Sequence, residues 1–143
     1  MSIGIDSEVV IDGTGYFVQP GTYTCKWPRI RKATVRADGG EGYVDLGPGK
    51  RVWSMVILCV NDLLKYDGTA TGLTGQNYRD NLIASYNKIG QTVTFQDPLG
   101  NSIQVHFDSY EEHALDLHAQ QVAIATGGAL TNSYFVAIEL VEA

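Results

Sequence analysis

TVTFQDPLGNSIQVHFDSY, residues 92–110, is the stretch on which the fold turns. Asp97-Pro98-Leu99-Gly100-Asn101 is made of the residues that turns favour, with Asp at the first position of a β-turn. Both flanks alternate. Val93 and Phe95 stand against Thr92, Thr94 and Gln96; beyond the turn, Ile103, Val105 and Phe107 stand against Gln104, His106 and Asp108. Period-two alternation on either side of a tight turn specifies two antiparallel strands. The hairpin turn is therefore assigned to Asp97, Pro98 and Gly100. His106 and Asp108 fall on the polar face and read as exterior or interface residues.

Working outward, residues 75–89 carry the clearest helical period. Tyr78, Leu82, Tyr86 and Ile89 fall at steps of four, four and three, Thr74 is placed to cap the helix and Gly90 to end it. Lys50 to Asn61 is the strongest strand. Its two faces, Val52, Ser54, Val56, Leu58 and Val60 against Trp53, Met55, Ile57 and Cys59, are both mostly apolar, which predicts a central strand. Ser7 to Ile11, Asp12-Gly13 and Tyr16 to Val18 read as strand, turn and strand. Ala33 to Arg36, Gln121 to Thr126 and Ser133 to Glu142 are further strands, and residues 109–120 are compatible with either a helical turn or an extended excursion. Residues 37–49, rich in glycine, read as a projecting loop with a short strand at Tyr43 to Leu46. Strands, one helix, then strands again give one domain over residues 1–143. The class is α+β and β-rich: a split β-barrel or sandwich with one flanking helix.

At 143 residues the chain is long enough to bury a core without covalent staples, and 44% hydrophobic against 18% charged residues is a globular composition. A net charge of −6 argues against a nucleic-acid-gripping surface, which needs clustered Lys and Arg. The two cysteines, Cys25 and Cys59, form no framework or CxxC pair, and Cys59 is expected to be a buried thiol. No apolar run approaches the roughly 20 residues of a membrane helix, and residues 1–10 lack the basic and apolar regions of a signal peptide.

No catalytic or metal-binding residues are assigned and no cofactor is expected. His106, His113 and His118 lie near Asp108, Glu111, Glu112 and Asp116, but no HExxH or HxH fixes a coordination geometry, and a solvated polar face explains them. Glu111 and Glu112, being adjacent, diverge, and no GxSxG surrounds Ser85 or Ser102. Gly49-Lys50 is followed by Arg51 rather than Ser or Thr, so it is not a phosphate loop. Arg29, Arg31, Lys32 and Arg36 form a basic cluster in an acidic chain, suited to a solvated face or to an acidic neighbouring subunit. Both tryptophans, in strand-like apolar contexts, are expected to be buried.

Residues 50–143 resemble small tail-tip and tail-tube proteins of long-tailed bacteriophages, above all the N-terminal hub domain of distal tail proteins. The resemblance is carried by RVWSMVILCVNDLL, the helix after it, a closing C-terminal strand, and an F-x-D-P-x-G-x-x-x-x-V-x-F hairpin made here by Phe95, Asp97, Pro98, Gly100, Val105 and Phe107. It implies a split barrel flanked by a helix and assembled as a ring, typically a hexamer with a trimer as the alternative, around a channel through which DNA passes unbound. Such a ring joins the tail tube to the tip or baseplate hub, so the expected location is the virion tail, after assembly in the host cytoplasm and without a membrane. The carbohydrate-module-like second domain of many distal tail proteins is not in this sequence, which leaves tube protein, distal tail protein and another tip ring open. Asp38, Glu41, Tyr43 and Asp45 of the 37–49 loop, with Arg29 and Arg31, are the expected subunit-interface residues. The competing reading is a small β-barrel that binds a carbohydrate or peptide through aromatic side chains.

Overall fold

The computed structural model describes residues 3–35, 39–114 and 133–143, except the side chains of 31–35, 41 and 43–47. The elements run β1 (Val9–Ile11), β2 (Thr14–Val18), β3 (Thr24–Lys26), β4 (Arg29–Val35), β5 (Glu41–Pro48), β6 (Val52–Cys59), α1 (Gly75–Tyr86), β7 (Val93–Gln96), β8 (Ser102–Ala114) and β9 (Tyr134–Glu142). Of barrel and sandwich, the chain builds the barrel. Strands β2-β1-β7-β8-β9-β6 follow one another, and β6 returns to β2 through Phe17↔Leu58 and Val18↔Ile57, closing six antiparallel strands. β3 adds to β6 outside that ring, with Cys25 opposite Trp53.

Closure follows from alternation. On β6, Trp53, Met55, Ile57 and Cys59 point inward; on β9, Val136, Ile138 and Leu140 do, and the register sets Trp53 opposite Leu140, Met55 opposite Ile138 and Ile57 opposite Val136. Val9, Ile11, Tyr16, Val18, Val93, Phe95 and Val105 complete the lining, and the barrel is filled by these side chains rather than hollow. Burying each large apolar side chain stabilises the fold by about 1.5–3 kcal/mol. Trp53 meets Phe95 edge-on at 5.4 Å between ring centroids. β6 is central, as expected, and its outward face of Val52, Ser54, Val56 and Leu58 is half-buried.

The 92–110 hairpin is present. Val93, Thr94, Phe95 and Gln96 pair with Val105, Gln104, Ile103 and Ser102. Asp97 holds the turn: its Oδ1 accepts from the backbone N–H groups of Leu99 at 3.1 Å and Asn101 at 2.8 Å, while the Gly100 N–H donates to the Asp97 carbonyl at 2.9 Å. Gly100 sits at φ 87°, a conformation only glycine adopts without cost. The ambiguous segment after the hairpin proves extended as far as Ala114. β8 carries a bulge at Asp108, where the pairing steps from Phe107↔Leu140 to Ser109↔Glu139. The bulge resets the alternation, so Tyr110 and Glu112 lie on the side of Phe107.

Three expectations are corrected. The short strand expected at Tyr43 to Leu46 is present, but the segment 37–49 is not a loop around it: β5 takes Glu41–Pro48 and pairs with β4 from Val35↔Glu41 to Arg29↔Pro48, forming a separate two-stranded ribbon. The backbone ladder outweighs the low strand preference of Gly42 and Gly47, and Pro48, which lacks an N–H, stands at the strand's last position. The helix stops at Tyr86 with Asn87 as its C-cap, so Ile89, 90% exposed, leaves the buried stripe and Gly90 belongs to the turn beyond. Trp27, expected inside, is 70% exposed, whereas Trp53 is 1% exposed. Thr74 does cap α1, its side chain accepting from the Asn77 N–H at 3.2 Å. The strand expected at 121–126 lies outside the described residues.

Candidate functional site

Five of the six expected interface residues lie on the β4–β5 ribbon. Arg29 opens β4 and is exposed; Arg31 follows on the same strand, and Glu41, Tyr43 and Asp45 lie on β5. The register sets Arg31 opposite Asp45 and Ala33 opposite Tyr43, with an irregularity at Ile30/Arg31. Asp38 lies outside the described residues. The ribbon is a stem rather than a loop, and its base is cinched where the Gly49 N–H donates to the Pro28 carbonyl at 2.7 Å.

At that base lies an arrangement that alternation did not reveal. The Arg51 guanidinium lies over two indoles, 4.7 Å from the Trp27 ring centroid and 5.0 Å from that of Trp53. Glu142 holds it from the side: Arg51 Nε donates to Glu142 Oε1 at 3.2 Å, Nη2 to Oε2 at 2.9 Å, and the Arg51 N–H to Oε1 at 3.1 Å. Each ion keeps the other charged, so Arg51 is raised and Glu142 lowered from the ordinary range by their shared hydrogen bonds. Cation–π stacking and a bidentate pair, each worth about 0.5–1 kcal/mol at a partly exposed position, fix Trp27 at the rim of the barrel. Burial, with the Asp97 charge behind it, pushes Tyr23 up to about 12. The sequence signal for this clamp was the Arg51-Val52-Trp53 triplet with a late Glu, which becomes informative only once β6 and β9 are known to pair.

The opposite end of the barrel is pinned by a second bidentate pair. Arg79 of α1 donates from Nε to Glu112 Oε2 at 2.6 Å and from Nη2 to Oε1 at 3.0 Å, and the Tyr110 hydroxyl donates to Glu112 Oε2 at 2.7 Å. Arg79 also lies 5.4 Å from the Tyr134 ring. The hydrogen bonds from Arg79 hold Glu112 below the ordinary carboxylate range, and burial raises Tyr110. Tyr86 of α1 closes the same seam against Phe107 and Tyr110, at 6.2 and 6.0 Å between ring centroids. These are fastening groups: every donor and acceptor named is engaged within the chain.

The histidine-carboxylate neighbourhood does not assemble. His106 is exposed and lies 3.2 Å from the Gln91 carbonyl, His113 lies 3.3 Å from Glu111 on the surface, Asp108 stands in the bulge, and His118 and Asp116 lie outside the described residues. No group of three or more His, Cys, Asp or Glu able to hold a metal occurs among the described residues. No helix among them is long and apolar enough to cross a membrane. A cleft of about 520 Å³ beside α1 is lined by the Asp6–Lys65 ion pair, Thr14, Thr71, Tyr78 and Asn81. No protein-family model matches the chain, and no curated protein is detectably similar to it.

Proposed function

We propose that the chain is a structural subunit of a long-tailed phage tail, forming a ring around the DNA channel that joins the tail tube to the tip or baseplate hub in the manner of distal tail proteins. The observation that carries this reading is the β4–β5 ribbon. It forms a two-stranded sheet of its own and pairs with no other strand among the described residues. A lone two-stranded ribbon is marginal in water, and open edges invite further strands, so a neighbouring copy is the natural complement. Repeated around an axis, such a contact closes into a ring, six-fold by expectation and three-fold as the alternative. The sequence resemblance and the closed barrel with its single helix agree with that role. Because the barrel is filled, a DNA channel would be bounded by several copies rather than bored through one. A net charge of −6 would oppose adsorption of the passing DNA.

The test is to excise residues 29–48, joining Pro28 to Gly49, which already meet through a hydrogen bond of 2.7 Å. The whole chain is expected to give a discrete six-fold or three-fold mass by light scattering across a concentration series, and the excised chain a folded monomer. A whole chain that stays monomeric throughout refutes the reading. The exposed indole of Trp27 favours the alternative, a carbohydrate- or peptide-binding module. In that case an oligosaccharide or peptide titration would quench Trp27 emission in the monomer, whereas in the assembly reading the emission moves to the blue with concentration and ignores such ligands.

A further inference from the structure

Two exposed apolar patches lie at opposite ends of the barrel wall and carry opposite charge. β6 runs from Val52 to Cys59, about 23 Å at roughly 3.3 Å a residue. At its Val52 end Trp27, 70% exposed, and Ile30, 49%, stand at the base of the ribbon among the exposed Lys26, Arg29 and Lys50. Beyond its Cys59 end, the connection to α1 exposes Leu64 and Tyr66. The Tyr66 N–H donates to the Ile5 carbonyl at 2.9 Å, bringing Ile5 alongside, and the Tyr66 ring rests 5.9 Å from that of Phe17. The segments 3–8 and 62–68 that carry this second patch hold Asp6, Glu8, Asp62 and Asp67 against one cation, Lys65, which pairs with Asp6 at 3.4 Å.

We infer that the occupant of the Ile5–Leu64–Tyr66 patch is a second copy of this chain, presenting its Trp27–Ile30 patch head to tail. The inference rests on the reading of the chain as an assembly subunit and deepens it: the Trp27–Ile30 patch, at the base of the β4–β5 ribbon, anchors the same contact between copies, which the ribbon alone does not hold. Trp, Tyr and Arg are the residues that anchor interfaces, and Trp27 is held ready by Arg51 and Glu142, so docking loses little side-chain freedom. Opposite charge steers the two ends together and disfavours pairing of like ends. Since the patches differ, the contact is heterologous and can propagate around a ring.

The experiment uses the whole chain with Trp27→Asp and, separately, Tyr66→Asp, both exposed positions, with far-UV circular dichroism as the folding check. Each variant alone should sediment as a monomer where the wild type assembles. Mixed in equal amounts they should form a dimer and nothing larger, because each retains one sound patch. Lys26→Glu with Lys50→Glu, which leaves both aromatic rings in place, should weaken association about tenfold or more at low salt and less at high salt. Wild-type assembly that Trp27→Asp leaves intact overturns the inference while leaving the assembly reading standing. Two monomeric variants that do not combine on mixing overturn the pairing of these patches. A monomeric wild type overturns both.

Discussion

Replacing Asp97 by alanine tests whether the turn at 97–101 is held by that side chain. In the native turn its Oδ1 accepts two backbone N–H groups, from Leu99 at 3.1 Å and Asn101 at 2.8 Å, and its Oδ2 the Asn101 side-chain amide at 3.3 Å. The Asp97 side chain is buried, while Leu99 and Asn101 are exposed, so water recovers part of what the amides lose. A hydrogen bond to a charged acceptor contributes about 1.5–3 kcal/mol and a neutral one about half that. After rehydration, Asp97→Ala should cost about 2 kcal/mol. Asp97→Asn keeps the Oδ1 acceptor and should cost about 1 kcal/mol. For a chain of this size that is a fall in Tm of about 4–8 °C for the alanine variant. Urea unfolding followed by circular dichroism should show the loss as a lower midpoint at unchanged slope, since the surface exposed on unfolding is the same. An alanine variant within about 0.5 kcal/mol of wild type, or an asparagine variant as damaged as the alanine one, would refute the assignment of the turn to this carboxylate.

Leu82, fully buried where α1 meets the barrel, should cost about 2–5 kcal/mol on substitution by alanine, read by the same urea titration. Cys59 is fully buried and burial pushes its thiol up to about 12, whereas Cys25 is only half-buried; a thiol reagent at about pH 8 should label Cys25 first and reach Cys59 only on unfolding, by peptide mass spectrometry. Glu112 and Glu142 are both held below the ordinary value of 4.5 by their arginine partners. A depressed folded pKa contributes stability above the unfolded value and loses it as pH falls through the folded one, so stability should decline below about pH 4.5, and Glu112→Gln with Glu142→Gln should flatten that decline.

Local chemistry was legible in the sequence; pairing between distant strands was not. The hairpin, the central strand at β6, the Thr74 cap and the burial of Cys59 all follow from neighbours within a few residues. The centre of β5 was legible at Tyr43 to Leu46, but its full extent was obscured because Gly42, Gly47 and Pro48 each argue against a strand, and the ladder that overrides them comes from β4, with Arg29 some twenty residues from Pro48. Ile89 fitted the helical period, but the period does not say where the helix stops, and Asn87 ends it first. Trp27 was misplaced for a related reason. An aromatic in an apolar-looking stretch is usually inside, but β3 ends at Lys26 and the chain leaves the wall before Trp27. The Arg51–Glu142 clamp spans ninety-one positions, a separation at which no sequence period speaks.

The ring of strands is joined unevenly, and this sets the order in which it can be made. β6, β9, β8 and β7 are laid side by side along long registers, while the β1–β2 hairpin is attached through Val10↔Gln96 and Ile11↔Phe95 on one side and Phe17↔Leu58 and Val18↔Ile57 on the other. The hairpin leaves the ribosome before either of its docking strands, β6 and β7, has been made. Its inner residues, Val9, Ile11 and Tyr16, must wait for β6 and β7 before they can leave water. β1 and β2, made before their partners, are thus expected to be the last stave set into the cask, and under mild denaturant the amides of Phe17 and Val18 should exchange with solvent before those of Met55 and Ile138.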